Sequence, residues 1–241
     1  MDTWTYGLRR ELANLDEALN CTSDKIFAGE RLDGRAIEAG TFQHCTFANI
    51  SFLKTKISNV TFVDCVFTGC YFRRAIINGC SFTGCRFVGC DFSHLSMMAT
   101  NLMYARFKEC MINYEIVRLN LPNEHNLREE LCRNLNVEAT RLGYLSEARS
   151  FRLEEVRARE ENLWAAILWK TEWYRRHYYG ARRIRAGLEL GWSYVNRILW
   201  GYGERVRILI LNLALFIFVV LPLLFWLFDP ELLKVDDHGL R

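Results

Sequence analysis

The chain has 241 residues, nine of them cysteine and five histidine, and its 31 Lys/Arg against 28 Asp/Glu leave a net charge of +3. The histidines (His44, His94, His125, His177, His238) are scattered, no paired carboxylates occur in the repeats, and neither a G-x-S-x-G nor a phosphate-cradling loop is present. No catalytic residues, cofactor or metal are therefore expected, and the function is sought in assembly and binding.

Residues 1–39 carry eight Asp/Glu against five Lys/Arg. Leu8, Leu12, Leu15 and Leu19 fall on one side of an amphipathic helix over 3–19. The expectation is an N-terminal cap helix followed by irregular first coils, in which Phe27, Leu32 and Ile37 already keep the phase of the next segment.

Residues 40–116 repeat every five. Phe42, Phe47, Phe52, Ile57, Phe62, Phe67, Phe72, Ile77, Phe82, Phe87, Phe92, Met97, Leu102, Phe107 and Ile112 are fifteen large apolar residues at one phase. A period of five fits neither the 3.6 of a helix nor the 2 of a strand, so the chain must turn to bring each unit back to a common axis. Two residues before each bulky one stands a small or medium one, such as Cys45, Val60, Cys65, Ala75 or Cys85. One bulky and one slim inward residue per unit can fill a narrow bore without voids, with Phe42, Phe47, Phe62, Phe67, Phe82 and Phe87 as its solid core. Seven of the nine cysteines sit at the slim phase. At twenty-residue spacing they form columns, Cys45/Cys65/Cys85 and Cys70/Cys90/Cys110, with parallel side chains roughly 4.8 Å apart, too far and wrongly aimed for disulfides. They read as small buried residues in a reducing compartment.

The units "CTFAN", "CVFTG", "CSFTG", "CRFVG" and "CDFSH" resemble the pentapeptide-repeat family, whose units read A-(D/N)-L-x-x around a central Leu or Phe. The resemblance implies a right-handed quadrilateral β-helix with four units per turn, and hence an α+β chain once the helices that follow are included. Some members of that family are acidic rods that mimic DNA and bind gyrase. Here the block carries seven Lys/Arg against four Asp/Glu, the opposite sign.

Residues 117–163 read as a helical hairpin. Pro122-Asn123 ends the repeats and caps a helix with the stripe Leu127, Leu131, Leu135 and Leu142, Gly143 breaks it, and a second helix follows. Docked on the last coil, the pair would cover its open edge. Residues 164–207 mix Trp and Tyr with arginine. Such a mixture can stack on single-stranded nucleic acid, but ahead of a membrane span it suits interfacial helices, which is the reading preferred here. Trp192, Trp200, Tyr202, Arg205, Arg207 and Trp226 are the candidate interface residues.

Residues 208–228 hold no charge over 21 positions, roughly 31 Å of helix and enough to cross a bilayer. Asn212 and Pro222 are the interior irregularities and the candidates for self-association of the span. Nine Lys/Arg precede the span from Lys170 onward, and only Lys234 and Arg241 follow it. By the positive-inside rule the N-terminal bulk is cytoplasmic, with a short extracytoplasmic tail at 229–241. "GYGERVR" at 201–207 is similar to a juxtamembrane "GYGERP" segment of bacterial pentapeptide-repeat membrane proteins, which implies a single-pass protein of a bacterial inner membrane. Some of those relatives continue into a two-span ion-channel module. This chain has Val206 in place of the proline and one span, so that module is not expected.

The expected function is a non-enzymatic, oligomeric membrane effector that perturbs or perforates the bilayer, in antiphage defence or a stress response. The alternative is a membrane-tethered scaffold for a cytoplasmic protein. The expected partners are membrane lipids, further copies of the chain and a cytoplasmic protein, but not nucleic acid.

Overall fold

The computed structural model describes residues 22–203 and 206–228. The expected cap helix over 3–19, Arg205 and the tail 229–241 lie outside the described residues. The chain divides into two compact units, Met1–Asn162 and Leu163–Arg241.

The first unit is built on β1 (Thr22–Ser23), β2 (Ile26–Ala28), β3 (Ala36–Gln43), β4 (Thr46–Ala48), β5 (Lys56–Val63), β6 (Val66–Thr68), β7 (Ile76–Asn78), β8 (Ser81–Thr83), β9 (Arg86–Val88), β10 (Ser96–Met98) and β11 (Arg106–Lys108). Every pairing is parallel and offset by twenty residues, as in Phe27↔Phe47, Ile57↔Ile77 and Phe87↔Phe107. Four five-residue units therefore make one turn, and the result is a β-solenoid of about four turns. One face is the sheet β2-β4-β6-β9-β11, and another is marked by the bridges Arg31↔Ser51, Ser51↔Tyr71, Tyr71↔Asp91 and Asp91↔Met111. The coils are regular from Thr22 onward, ahead of the boundary at residue 40 that composition suggested. Phe27, Leu32 and Ile37 are buried in the same core, and in-register pairing to the next coil holds them there.

Phe42, Phe47, Phe62, Phe67, Phe82 and Phe87 are all buried. They stack along the axis, with ring centroids 4.7 Å apart for Phe47 and Phe67 and 4.9 Å for Phe62 and Phe82, and meet edge-on across the bore, as Phe62 and Phe67 do at 5.3 Å. Burying one such ring contributes roughly 1.5–3 kcal/mol, and the ring-ring geometry adds roughly 0.5–1.5 kcal/mol. The slim phase does more than save space. Sγ of Cys65, Cys70, Cys80, Cys85 and Cys90 donates to the carbonyls of Phe42, Phe47, Ile57, Phe62 and Phe67, at 3.3 to 3.6 Å. Thr55 Oγ1 makes the same bond to the Leu32 carbonyl at 2.8 Å. Each thiol or hydroxyl thus binds a backbone carbonyl 23 residues earlier, which explains why small donors can stand beside alanine and valine in a dry interior.

Turning the chain every five residues requires a backbone reversal in every unit. From Asp24 to Glu109 every fifth residue has positive φ, whether Asn49, Asp64, Gly69, Gly84 or the bulkier Lys54, Arg74 and Tyr104. At Gly84 the space is also spoken for, because a Cβ there would lie 2.0 Å from Asp64 Oδ1 of the preceding coil. His44 and His94 both occupy such corners.

The last coil is closed by α1 (Tyr114–Arg118), α2 (His125–Arg141) and α3 (Leu145–Ile167). Asn120 is buried and acts as a coil in miniature. Its Oδ1 accepts from Thr100 N at 2.8 Å and its Nδ2 donates to the Met97 carbonyl at 2.9 Å. Asn134 of α2 accepts from Phe107 N and donates to Phe107 O, and Glu138 accepts from Glu109 N at 2.6 Å. The edge strand β11 therefore ends on side chains that stand in for a next strand. Leu127, Leu131 and Leu135 are buried as the stripe required, but Leu142 is exposed. It is the C-cap, where the helix turns into a Schellman motif closed by Tyr144 N to the Ala139 carbonyl at 2.9 Å. The N-cap is Glu124, without a side-chain capping bond, rather than the expected Asn123. Ion pairs join α2 and α3, Arg133 meeting Glu155 at 3.0 Å and Arg128 meeting Glu161 at 3.1 Å, beside the shared apolar cluster that holds Leu131, Leu135, Ala148 and Phe151.

Candidate functional site

The second unit is a run of helices whose apolar surface is largely unburied. Residues 163–167 of α3 lead to α4 (Glu172–His177) and α5 (Ala181–Trp200), then a tight turn at Gly201–Gly203, α6 (Val206–Leu215), a π-helical turn (Phe216–Val220) and α7 (Leu221–Phe228). Leu163, Ala186 and Leu190 form its small buried cluster, with Ile167, Tyr178 and Tyr194 packed around them.

Aromatic rings and arginines lock this cluster. The Arg183 guanidinium lies 4.1 Å over the Trp169 ring while its Nε donates to the Ile167 carbonyl at 3.0 Å. Trp169 Nε1 donates to the Tyr178 carbonyl at 2.9 Å, Trp164 Nε1 to Tyr194 Oη at 3.1 Å, and Arg197 lies 4.3 Å over the Tyr194 ring. The Arg/Trp/Tyr mixture that the sequence pointed to thus makes specific contacts within the unit, worth roughly 0.5–2 kcal/mol for each cation–π pair.

The residues that follow α5, Gly201–Gly203, form a tight turn. Gly201 is the left-handed C-cap of α5, its N–H bonded to the Asn196 and Arg197 carbonyls, and Tyr202 follows at positive φ. Asn212, two turns into α6, donates through Nδ2 to the carbonyls of Ile198 at 2.7 Å and Leu199 at 3.0 Å. These are two of the carbonyls that the end of any helix leaves without partners. Asn212 was a candidate for self-association of the span, and in this structure its amide bonds to the end of α5 in the same chain. Pro222 stands two residues past the last residue of the π-helical turn. Leu221 N bonds five residues back to the Phe216 carbonyl, and Pro222 has no N–H for the carbonyl four residues back, so the α-helical ladder is interrupted there.

The helix Leu209–Leu227 has 19 residues, a mean hydropathy of 2.7 and no part buried, and so has the length and composition to cross a membrane. Of the candidate interface residues, Trp192 is exposed on α5, Trp200 ends that helix, Tyr202 is in the turn, Arg207 is exposed in the first turn of α6, and Trp226 is exposed on α7. The stripe Ile184, Leu188, Val195 and Leu199 beside Trp192 was not singled out from sequence. Its signal was there, as apolar residues at i, i+4, i+11 and i+15, but the aromatic and basic residues of the same segment dominated the reading. Among the described residues no group of three or more His, Cys, Asp and Glu converges.

A parallel solenoid with five-residue units and four units per turn defines the class of the first unit. Residues 52–111 match the family model of pentapeptide repeats (9 copies). The coils over 52–111 are thus pentapeptide repeats. Similar solved structures include the crystal structure of a pentapeptide repeat protein (Rfr23) from the cyanobacterium Cyanothece 51142, with 8% identity and a TM-score of 0.31, covering 39% of this chain and 85% of that one. A trypsin-treated form of QnrB1, a plasmid-mediated fluoroquinolone resistance protein, has 20% identity and a TM-score of 0.24 over 39% of this chain and 67% of that one. No curated protein matches the chain in sequence.

Proposed function

We propose that the chain is a non-enzymatic, membrane-tethered binding platform: the span Leu209–Leu227 holds it in a bilayer, and the pentapeptide-repeat solenoid presents rigid faces to a protein partner. The carrying observation is that a 19-residue apolar helix, none of it buried, shares a chain with a rod whose interior is filled. Outward positions of the rod include exposed large side chains, Tyr71, Ile76, Met98 and Tyr104, which suit protein contact. The excess of Lys/Arg ahead of the span supports a cytoplasmic solenoid, and the family resemblance supports a bacterial inner membrane.

A second reading, an oligomeric effector that perturbs or opens the bilayer, is favoured by the π-helical turn at Phe216–Val220, since such turns recur at functional sites in helices. The mass of the detergent-solubilised full chain, taken after membrane fractionation, separates the two. A monomer supports the platform and excludes a pore; a closed ring of copies with ion conductance in planar bilayers would replace the platform with the effector; recovery in the soluble fraction would sink both.

A further inference from the structure

Helix α5 has two apolar faces. One carries Ala186 and Leu190 into the buried cluster. The other, about 180° around the axis at 100° per residue, is the stripe Ile184, Leu188, Trp192, Val195 and Leu199, whose exposure runs from 41% to 70%. Within the described residues nothing covers it. Three observations say what does. The helix ends five residues ahead of α6, whose apolar residues open the span. Its last turn is bonded to Asn212, three residues inside the span's first residue, Leu209, and so at a depth of roughly 5 Å, given 1.5 Å of rise per residue. And α5 carries Arg182, Arg183, Arg185, Glu189 and Arg197, too many charges for a second crossing helix. A helix too polar to cross, yet tied at one end just below the start of the hydrocarbon, has the interface as its remaining place.

We infer that α5 lies along an anionic leaflet with Ile184, Leu188, Trp192, Val195 and Leu199 in the headgroup–acyl boundary, and that Asn212 sets its depth. Interfacial helices of this kind bury their apolar face by roughly 5–10 Å, which matches the level fixed by Asn212. Four arginines against one glutamate on the helix suit an anionic leaflet. The inference rests on the reading of Leu209–Leu227 as a span.

The test uses the full chain reconstituted in phosphatidylglycerol-containing vesicles. Nitroxide labels are attached to single cysteines introduced by Leu188→Cys, Val195→Cys, Arg182→Cys and Leu213→Cys. The background is Cys21→Ser, the other eight native cysteines being buried. All four introduced positions are exposed, so the fold is not at stake. Labels at 188 and 195 should, like the label at 213, be relaxed by oxygen and shielded from an aqueous nickel chelate, with the opposite ratio at 182. Water contact at 188 and 195 with lipid contact at 213 overturns the inference and leaves the span intact. Shielding of 188 and 195 from both reagents means protein covers the stripe and also overturns it. Water contact at 213 overturns the span, and the inference with it.

Discussion

Asn134 of α2 grips both backbone groups of Phe107, accepting from its N–H at 2.8 Å and donating to its carbonyl at 2.9 Å. A helix side chain thereby completes the outermost strand of a sheet 27 residues earlier in the chain. Asn134→Leu leaves that N–H and carbonyl without their partners, at about 1–3 kcal/mol for each buried group so stranded. Val137→Ala on the exposed side of the same helix should stay within about 0.5 kcal/mol. Thermal melts of the two variants check this; equal losses would mean that the amide does not close the edge.

Phe82 is buried and stacked on Phe62, whereas Arg86 projects outward. Phe82→Ala should cost about 3–5 kcal/mol by emptying a filled bore. Arg86→Ala should cost little. Comparable melting losses for the two would contradict the inward and outward phases.

The solenoid and its cap should lose stability in alkali. Burial, with the Glu154 carboxylate nearby, pushes the Cys132 thiol from its ordinary 9.0 up to about 12. Burial and Glu154 likewise push Tyr114 from 10.0 up to about 12. In the unfolded chain these groups ionise at their ordinary values, so between about pH 9 and 12 the folded state binds more protons than the unfolded one, and stability falls as pH rises through that window. Below pH 9 the contribution is fully present. The melting temperature of the solubilised protein should drop across the window, less so in Cys132→Ala. An identical drop in that variant would remove Cys132 from the account.

Topology has its own test. A reporter active only in the cytoplasm should work when fused ahead of Met1, and one active only outside should work after Arg241. Cytoplasmic activity at both ends would show that Leu209–Leu227 does not cross.

Because Asn212 donates to Ile198 and Leu199 within its own chain, Asn212→Leu should leave the mass of the solubilised protein unchanged. It should instead loosen the turn at Gly201–Gly203, read as faster limited proteolysis there. A fall in mass with unchanged proteolysis would return Asn212 to the role of a contact between spans.

The sequence by itself determined the repeat, its inward and outward phases, the slim cysteine columns and the length of the apolar span. These are legible because each is periodic or contiguous. A solenoid unit touches its neighbours at a constant offset, so a one-dimensional pattern carries the three-dimensional packing, and an apolar run long enough for a bilayer needs no partner to be recognised. Only the tertiary structure decided the rest. The positive φ at every fifth residue shows no consistent residue type, since Gly84, Asn49, Arg74 and Tyr104 all adopt it under the constraint of stacking. The bonds of Asn134 to Phe107, Glu138 to Glu109 and Asn212 to Ile198 join a side chain to a backbone group 14 to 29 residues away. No local propensity announces such a pair, because an asparagine or glutamate reads as a solvated helix residue until the fold brings an unpaired N–H or carbonyl within reach.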